Sequence, residues 1–180
     1  MGKFLVIFII ASALLAGGGM YYMQVYAYYE PVTLAGDSNT KATQIRLTSL
    51  TSDAPEPIRV TDFQGIDADS SPLRFRACFN TSQSLAMLTE TYVTHQAAVP
   101  LTGPGWFDCY DADEIGADLE EGTAIAFLSE FNIEYGIDRV VAVYDDGRAF
   151  VWHQINRCGA RVFDGLSAPD DCPLPPERLR

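Results

Sequence analysis

The hydrophobic pattern divides the chain into an unbroken apolar head and a patterned remainder. From Phe4 to Tyr29 no charged residue occurs, a run of 26 positions that would extend about 39 Å as a helix at 1.5 Å per residue, more than a bilayer's hydrocarbon thickness. A secretory signal has an apolar stretch of only about 7–15 residues before a small-residue cleavage site. Val25-Tyr26-Ala27 has the form of such a site, but the length of the run predicts a retained, single-pass transmembrane anchor over residues 1–30. Tyr21, Tyr22, Tyr26, Tyr28 and Tyr29 gather at its outer end, as amphipathic rings do at the headgroup level of a lipid bilayer. Ala13, Ala16, Gly17, Gly18 and Gly19 recur on successive turns, a surface on which another membrane helix can approach closely.

Beyond the anchor the pattern shortens. Residues 31–43 are polar and aperiodic and read as a linker, and a domain is expected over 44–172 with a Pro-rich tail at 173–180. Gln44–Leu50 and Ile58–Phe63 read as strands, and Leu73–Phe79 alternates apolar with charged residues, the period of a half-buried strand. Ser82 is placed to cap a helix over Gln83–His95, and Asp111 with Glu114 forms an Asp-led capping box for a second helix ending near Gly122. Ala124–Ile133, Asp138–Tyr144 and Arg148–Ile155 read as a meander turned by Asp145-Asp146-Gly147, with Ala160–Phe163 as a further edge. Strands on either side of a helical stretch, without a βαβ rhythm, predict an α+β domain with a largely antiparallel sheet and two short helices.

Charge changes the picture in two ways. The formal net charge is −12, and residues 31–180 hold 11 Lys/Arg against 23 Asp/Glu, which disfavours nucleic acid as a partner. At the anchor, Lys3 marks one flank while Glu30 and Asp37 mark the other, so the positive-inside rule puts the N-terminus in the cytoplasm and the domain outside it. Cys78, Cys109, Cys158 and Cys172 all follow the anchor, and an even number in an oxidising compartment predicts disulfides. Three pairings are open; Cys158 with Cys172 and Cys78 with Cys109 are preferred. No CxxC, HxxxH or CxxCH spacing occurs, so neither zinc nor covalent haem is expected, and no cofactor is assigned.

The candidate chemistry is sparse. Asp108, Asp111, Asp113, Glu114, Asp118, Glu120 and Glu121 form the densest charge cluster, a solvated helix face or a docking surface for a basic periplasmic protein. Asp67 and Asp69 are a carboxylate pair in a Ser/Pro turn, where backbone hydrogen bonding is their default role. His153 falls on a strand, sharing a face with Val151, and reads as a structural imidazole; His95 is the only other histidine. Arg74, Arg76, Arg139, Arg148, Arg157 and Arg161 lie in or beside strands, where pairing with carboxylates is the default. The GxSxG, HExxH, P-loop and dinucleotide fingerprints are absent, and no catalytic residue is assigned.

Asp62-Phe-Gln-Gly-Ile-Asp-Ala-Asp-Ser-Ser-Pro72, Ser84–Tyr92, Pro104-Gly-Trp-Phe-Asp-Cys109, Tyr135–Val143 and Phe150–Cys158 resemble a domain-of-unknown-function family of alphaproteobacterial single-pass proteins. The resemblance takes in the anchor and nearly all of the domain. It implies a Gram-negative inner membrane with a periplasmic domain, and carries over no site residues. The expected role is a non-enzymatic accessory or assembly subunit of an integral membrane protein complex. A periplasmic ligand-binding or sensing domain is the alternative, and a tethered hydrolase built on His153 or Asp67/Asp69 the third.

Overall fold

The computed structural model describes residues 2–35 and 41–179. The apolar head is α1 (Gly2–Tyr22), continued by a π-helical turn over Met23–Ala27. Together they make one helical run of 26 residues, long and apolar enough to cross a membrane, and the domain buries none of it. Tyr28 closes the run by donating its N–H to the Met23 carbonyl at 3.1 Å.

The domain is a seven-stranded sheet clothed on both faces. Its strands are β1 (Glu30–Leu34), β2 (Lys41–Thr43), β5 (Thr61–Asp67), β6 (Arg76–Asn80), β7 (Ala124–Glu134), β8 (Ile137–Tyr144) and β9 (Arg148–Ile155), in the order β2-β1-β5-β6-β9-β8-β7. Among the described residues only β1 and β2 pair in parallel. A two-stranded sheet, β3 (Arg46–Thr48) with β4 (Pro55–Pro57), and helix α2 (Leu85–Thr91) cover one face. Helix α3 (Ala112–Glu121) and the loop before it cover the other.

The two cores follow from alternation. Val141, Val143, Ala149 and Val151 point to the first face with Leu47, Leu88 and Phe127. Val140, Ala142 and Trp152 point to the second with Ile115, Tyr110 and Phe107. A strand buried on both faces reads as a continuous apolar run, as Val140–Val143 of β8 do, and the buried Asp138 and Arg139 before them are hydrogen-bonded.

Five differences from the expected elements have physical causes. Of the segment 31–43 expected as a linker, residues 36–40 lie outside the described residues, and its two ends are strands: β1 begins at Glu30, Val32 is buried, and the ladder Glu30↔Asp67, Pro31↔Ile66, Val32↔Gly65 ties it to β5. The second expected strand, Ile58–Phe63, is displaced to Thr61–Asp67, where β1 and β6 offer partners on both sides. The first domain helix starts at Leu85, capped by Ser84 rather than Ser82, and stops at Thr91. The β-branched run that follows serves the sheet instead: Val93 N–H donates to the Thr48 carbonyl, Leu128 N–H to the Val93 carbonyl and His95 N–H to the Ala126 carbonyl, covering the outer edge of β7.

Ala160–Phe163 is not an edge strand but lies in a third domain helix with its C-cap, α4 (Arg157–Val162). Asn156 caps it, its Oδ1 accepting from the N–H groups of Cys158 at 2.9 Å and Gly159 at 3.0 Å. The tail is likewise not featureless, since Tyr135 donates its hydroxyl to the Pro173 carbonyl and Glu177–Leu179 closes a 3₁₀ turn.

Candidate functional site

Two constellations stand out, one where the anchor meets the domain and one in a cleft beside it. At the junction, the last carbonyls of the helical run have no intrahelical partners, and side chains from the domain supply them. Arg74 Nη1 donates to the Gln24 carbonyl at 2.9 Å, and the Trp106 indole N–H donates to the Val25 carbonyl at 2.7 Å. Around these bonds the rings form a collar. Tyr22 stacks on Tyr26, Tyr26 on Trp106, and Tyr29 meets Trp106 edge-on at 5.7 Å while taking the Arg74 guanidinium over its face at 5.4 Å.

Of the five predicted belt tyrosines, Tyr22, Tyr26 and Tyr29 therefore join the collar through ring contacts, and Tyr21, Tyr22, Tyr26 and Tyr28 are all exposed. Ala13, Ala16, Gly17, Gly18 and Gly19 are exposed, and a Cβ built on any of the three glycines would meet nothing within 4 Å. The face proposed for helix packing is thus open.

The loop carrying Trp106 is held by two clamps. Cys109 is disulfide-bonded to Cys78 on β6. Arg76, buried on the same strand, donates to the carbonyls of Leu73, Phe75, Leu101 and Thr102 at 2.6–3.1 Å. Desolvation lowers its pKa from the ordinary arginine value, opposed by Tyr110, Tyr29 and Asp67, while the four carbonyl oxygens accept its N–H groups. The other disulfide, Cys158–Cys172, ties α4 to the C-terminal segment.

The cleft, about 320 Å³, is lined by Asp67, Asp69, Ser71, Pro72, Glu134, Arg139 and His153 among others. His153 is buried and stacks on Phe75 at 4.9 Å. Arg139 also contacts this ring, its guanidinium 4.5 Å from the Phe75 centroid. It donates through Nε to His153 Nε2 at 3.0 Å and reaches Thr43 and, at 3.5 Å, Glu130. With Nε2 accepting, the imidazole carries its proton on Nδ1 and donates it to the Pro72 carbonyl at 2.6 Å. Burial first, and the Arg139 charge second, push the His153 pKa down to about 4. Both ring nitrogens are engaged, which leaves the neutral ring no lone pair with which to take a proton from a substrate.

His95 lies on the other face, accepting at Nε2 from Gln154 at 3.2 Å, and burial lowers its pKa as well. The two histidines are not brought together: His153 meets Arg139 and Pro72, while His95 meets Gln154.

The acidic helix divides into structural and exposed members. Asp111 caps α3 by accepting from Asp113 and Glu114 N–H groups, and Asp118 accepts the Tyr144 hydroxyl at 2.6 Å. Asp113, Glu114, Glu120 and Glu121 remain exposed. Among the remaining arginines, Arg148 pairs with Asp146 and Arg157 with Asp171, both on the surface. Among the described residues no group of three or more His, Cys, Asp or Glu is placed to hold a metal ion.

A family model of unknown function, DUF6446, matches residues 45–173, which is the domain from Ile45 in the first core to the segment beyond the second disulfide. The chain belongs to the DUF6446 family. The DUF6446 match is narrower than the resemblance read from the residues, because it leaves out the anchor, β1 and β2. No curated protein and no solved structure matches the chain.

Proposed function

We propose that the chain is a single-pass accessory or assembly subunit of a larger bacterial inner-membrane complex, its N-terminus cytoplasmic and its domain periplasmic, serving respiratory or photosynthetic electron transfer in an alphaproteobacterial cell. The observation that carries this reading is the collar. Arg74 and Trp106 cap the anchor's last carbonyls, and β1 starts three residues after the helical run ends at Ala27. A domain held so closely on its anchor is suited to a fixed place in an assembly, whereas a tethered enzyme or scavenger gains by a long flexible leash. The two disulfides suit an oxidising compartment. The open glycine face offers the membrane contact, and the exposed carboxylates of α3 offer a docking surface for a basic periplasmic protein.

The test is to capture the full chain by a C-terminal tag from native membranes in mild detergent and to identify what migrates with it on a native gel. A stoichiometric membrane complex is expected, released by Gly17→Leu with Gly18→Leu; a lone monomer through several detergents would overturn the reading. A second reading, a ligand-binding or sensing domain, is favoured by the charged cleft of Asp67, Asp69, Glu134 and Arg139. A hydrolase centred on His153 is disfavoured by the burial of that ring and its two hydrogen bonds.

A further inference from the structure

The strand register places a set of exposed apolar side chains at the end of the sheet from which the anchor emerges. β1 leaves the anchor at Glu30, and the pairs Glu30↔Asp67, Ile66↔Arg76, Arg76↔Trp152 and Val140↔Trp152 step across the sheet at that end. From this row β9 runs on to Ile155, while β8 starts back at Ile137, which pairs with both Ile155 and Glu134. Three residues of strand span about 10 Å, so the β7–β8 hairpin overhangs the row on the anchor's side. The cleft lined by both the Asp67–Pro72 turn and Ile133/Glu134 puts hairpin and turn side by side.

The overhang presents large apolar side chains among the exposed Glu134, Asp164, Asp170 and Asp171, and it is firmly built. Ile155 is 44 % exposed, Phe163 43 %, Leu166 50 % and Leu174 81 %, with Phe131 on the hairpin at 45 %. Elsewhere in the domain the large exposed apolar residues other than Trp106 are Leu50, Met87 and Val99, scattered through the chain. The group is tied together at its base. Asn156 N–H donates to the Gly136 carbonyl, a Cβ on Gly136 would lie 2.9 Å from the Phe163 ring, and Tyr135 bonds the Pro173 carbonyl. Cys158–Cys172 closes the loop that carries Phe163 and Leu166. Arg161, exposed on α4, is two residues from Phe163, and arginine beside exposed apolar side chains suits the headgroup zone.

We infer that this end of the domain rests on the bilayer that the anchor enters, with Ile155, Phe163, Leu166 and Leu174 in the headgroup region. The occupant is lipid because the anchor's short exit, three residues from Ala27 to Glu30, leaves the overhanging hairpin at membrane height. The inference rests on α1 crossing the membrane.

Spin labels test it on the full chain in nanodiscs of phosphatidylethanolamine and phosphatidylglycerol, with both native disulfides verified by mass. Single cysteines at Phe163→Cys, Leu166→Cys and Leu174→Cys report the patch, Ile10→Cys the anchor and Asp146→Cys the opposite end of the sheet. The ratio of oxygen to nickel-chelate collisions at the patch is expected to lie between those of the other two sites. Patch ratios equal to that at Asp146→Cys, with Ile10→Cys still in lipid, overturn the inference and spare the anchor. An aqueous Ile10→Cys overturns both. Patch labels shielded from both reagents assign the surface to a protein contact and overturn it too.

Discussion

Arg139 donates to His153, so a cationic side chain fixes the tautomer of a buried imidazole by occupying the nitrogen at which the ring would be protonated. Adding a proton to Nε2 would set two N–H groups against each other, which is why the ring stays neutral far below the ordinary histidine range.

Acid sensitivity follows. The folded-state pKa of His153 is depressed to about 4, so the unfolded chain binds the proton first. The stabilisation is complete above the unfolded value of roughly 6.5 and is lost as pH falls from there towards 4, about 3 kcal/mol at 1.36 kcal/mol per unit. His153→Gln, which can accept from Arg139 but does not titrate, should flatten most of this dependence, leaving a smaller slope of the same sign from His95. Urea unfolding of the full chain in detergent between pH 7 and 4, followed by the buried Trp152, measures it.

Removing the collar should loosen the junction without unfolding the domain. Trp106 and Arg74 lie at the surface of the second core, so Arg74→Ala with Trp106→Ala should move the domain's melting temperature by no more than about 4 °C. The spin-to-spin distance distribution between Ile10 and Asp146 should broaden markedly; an unchanged width would show that the collar does not set the junction.

Reducing the disulfides should cost unequal amounts. The Cys78–Cys109 bridge spans 31 residues and Cys158–Cys172 spans 14, and loop closure gives about 3–4 kcal/mol for the former and about 3 for the latter. Cys78→Ala with Cys109→Ala should also widen the distance distribution of the previous experiment, because Trp106 rides on that loop. Cys158→Ala with Cys172→Ala should leave it narrow.

Asn156 joins three elements. Its Oδ1 caps α4 while its Nδ2 donates to Asn132 at 2.8 Å and to the buried Asp138 at 2.6 Å. Asn156→Ala should cost about 2–4 kcal/mol, the loss of a cap plus a buried carboxylate deprived of a donor. Hydrogen exchange should then rise first over residues 157–163.

How far these features could be read in advance depended on whether their cause was local. The meander was legible because β8 and β9 alternate on two buried faces and Asp146-Gly147 turns them, and α3 because Asp111 caps it from adjacent residues. The end of α2 was hidden, since Tyr92–His95 leave the helix only because β7, some thirty residues later, needs an edge partner. α4 carried a local signal, the Asn156 cap, outweighed by the apolar look of Arg161-Val-Phe163. Neither constellation was visible. His153 stood out, but not its partner Arg139 or the Pro72 carbonyl, and Trp106 reaches Val25 across 81 residues of sequence. Of the acidic cluster, Asp111 announced its cap in the sequence, but the bond from the Tyr144 hydroxyl that sets Asp118 apart from the exposed Asp108, Asp113, Glu114, Glu120 and Glu121 spans 26 residues and had no local signal.

The short exit from the anchor has a mechanical meaning. β1 is flanked by β2 and β5, and its first residue follows the helical run by three positions. A tug on the anchor therefore enters the sheet lengthwise along an interior strand, with no slack to take it up, and loads the Val32↔Gly65 and Val32↔Lys41 pairings on both sides at once. Tension in the membrane and strain in the sheet are, in this molecule, nearly the same variable.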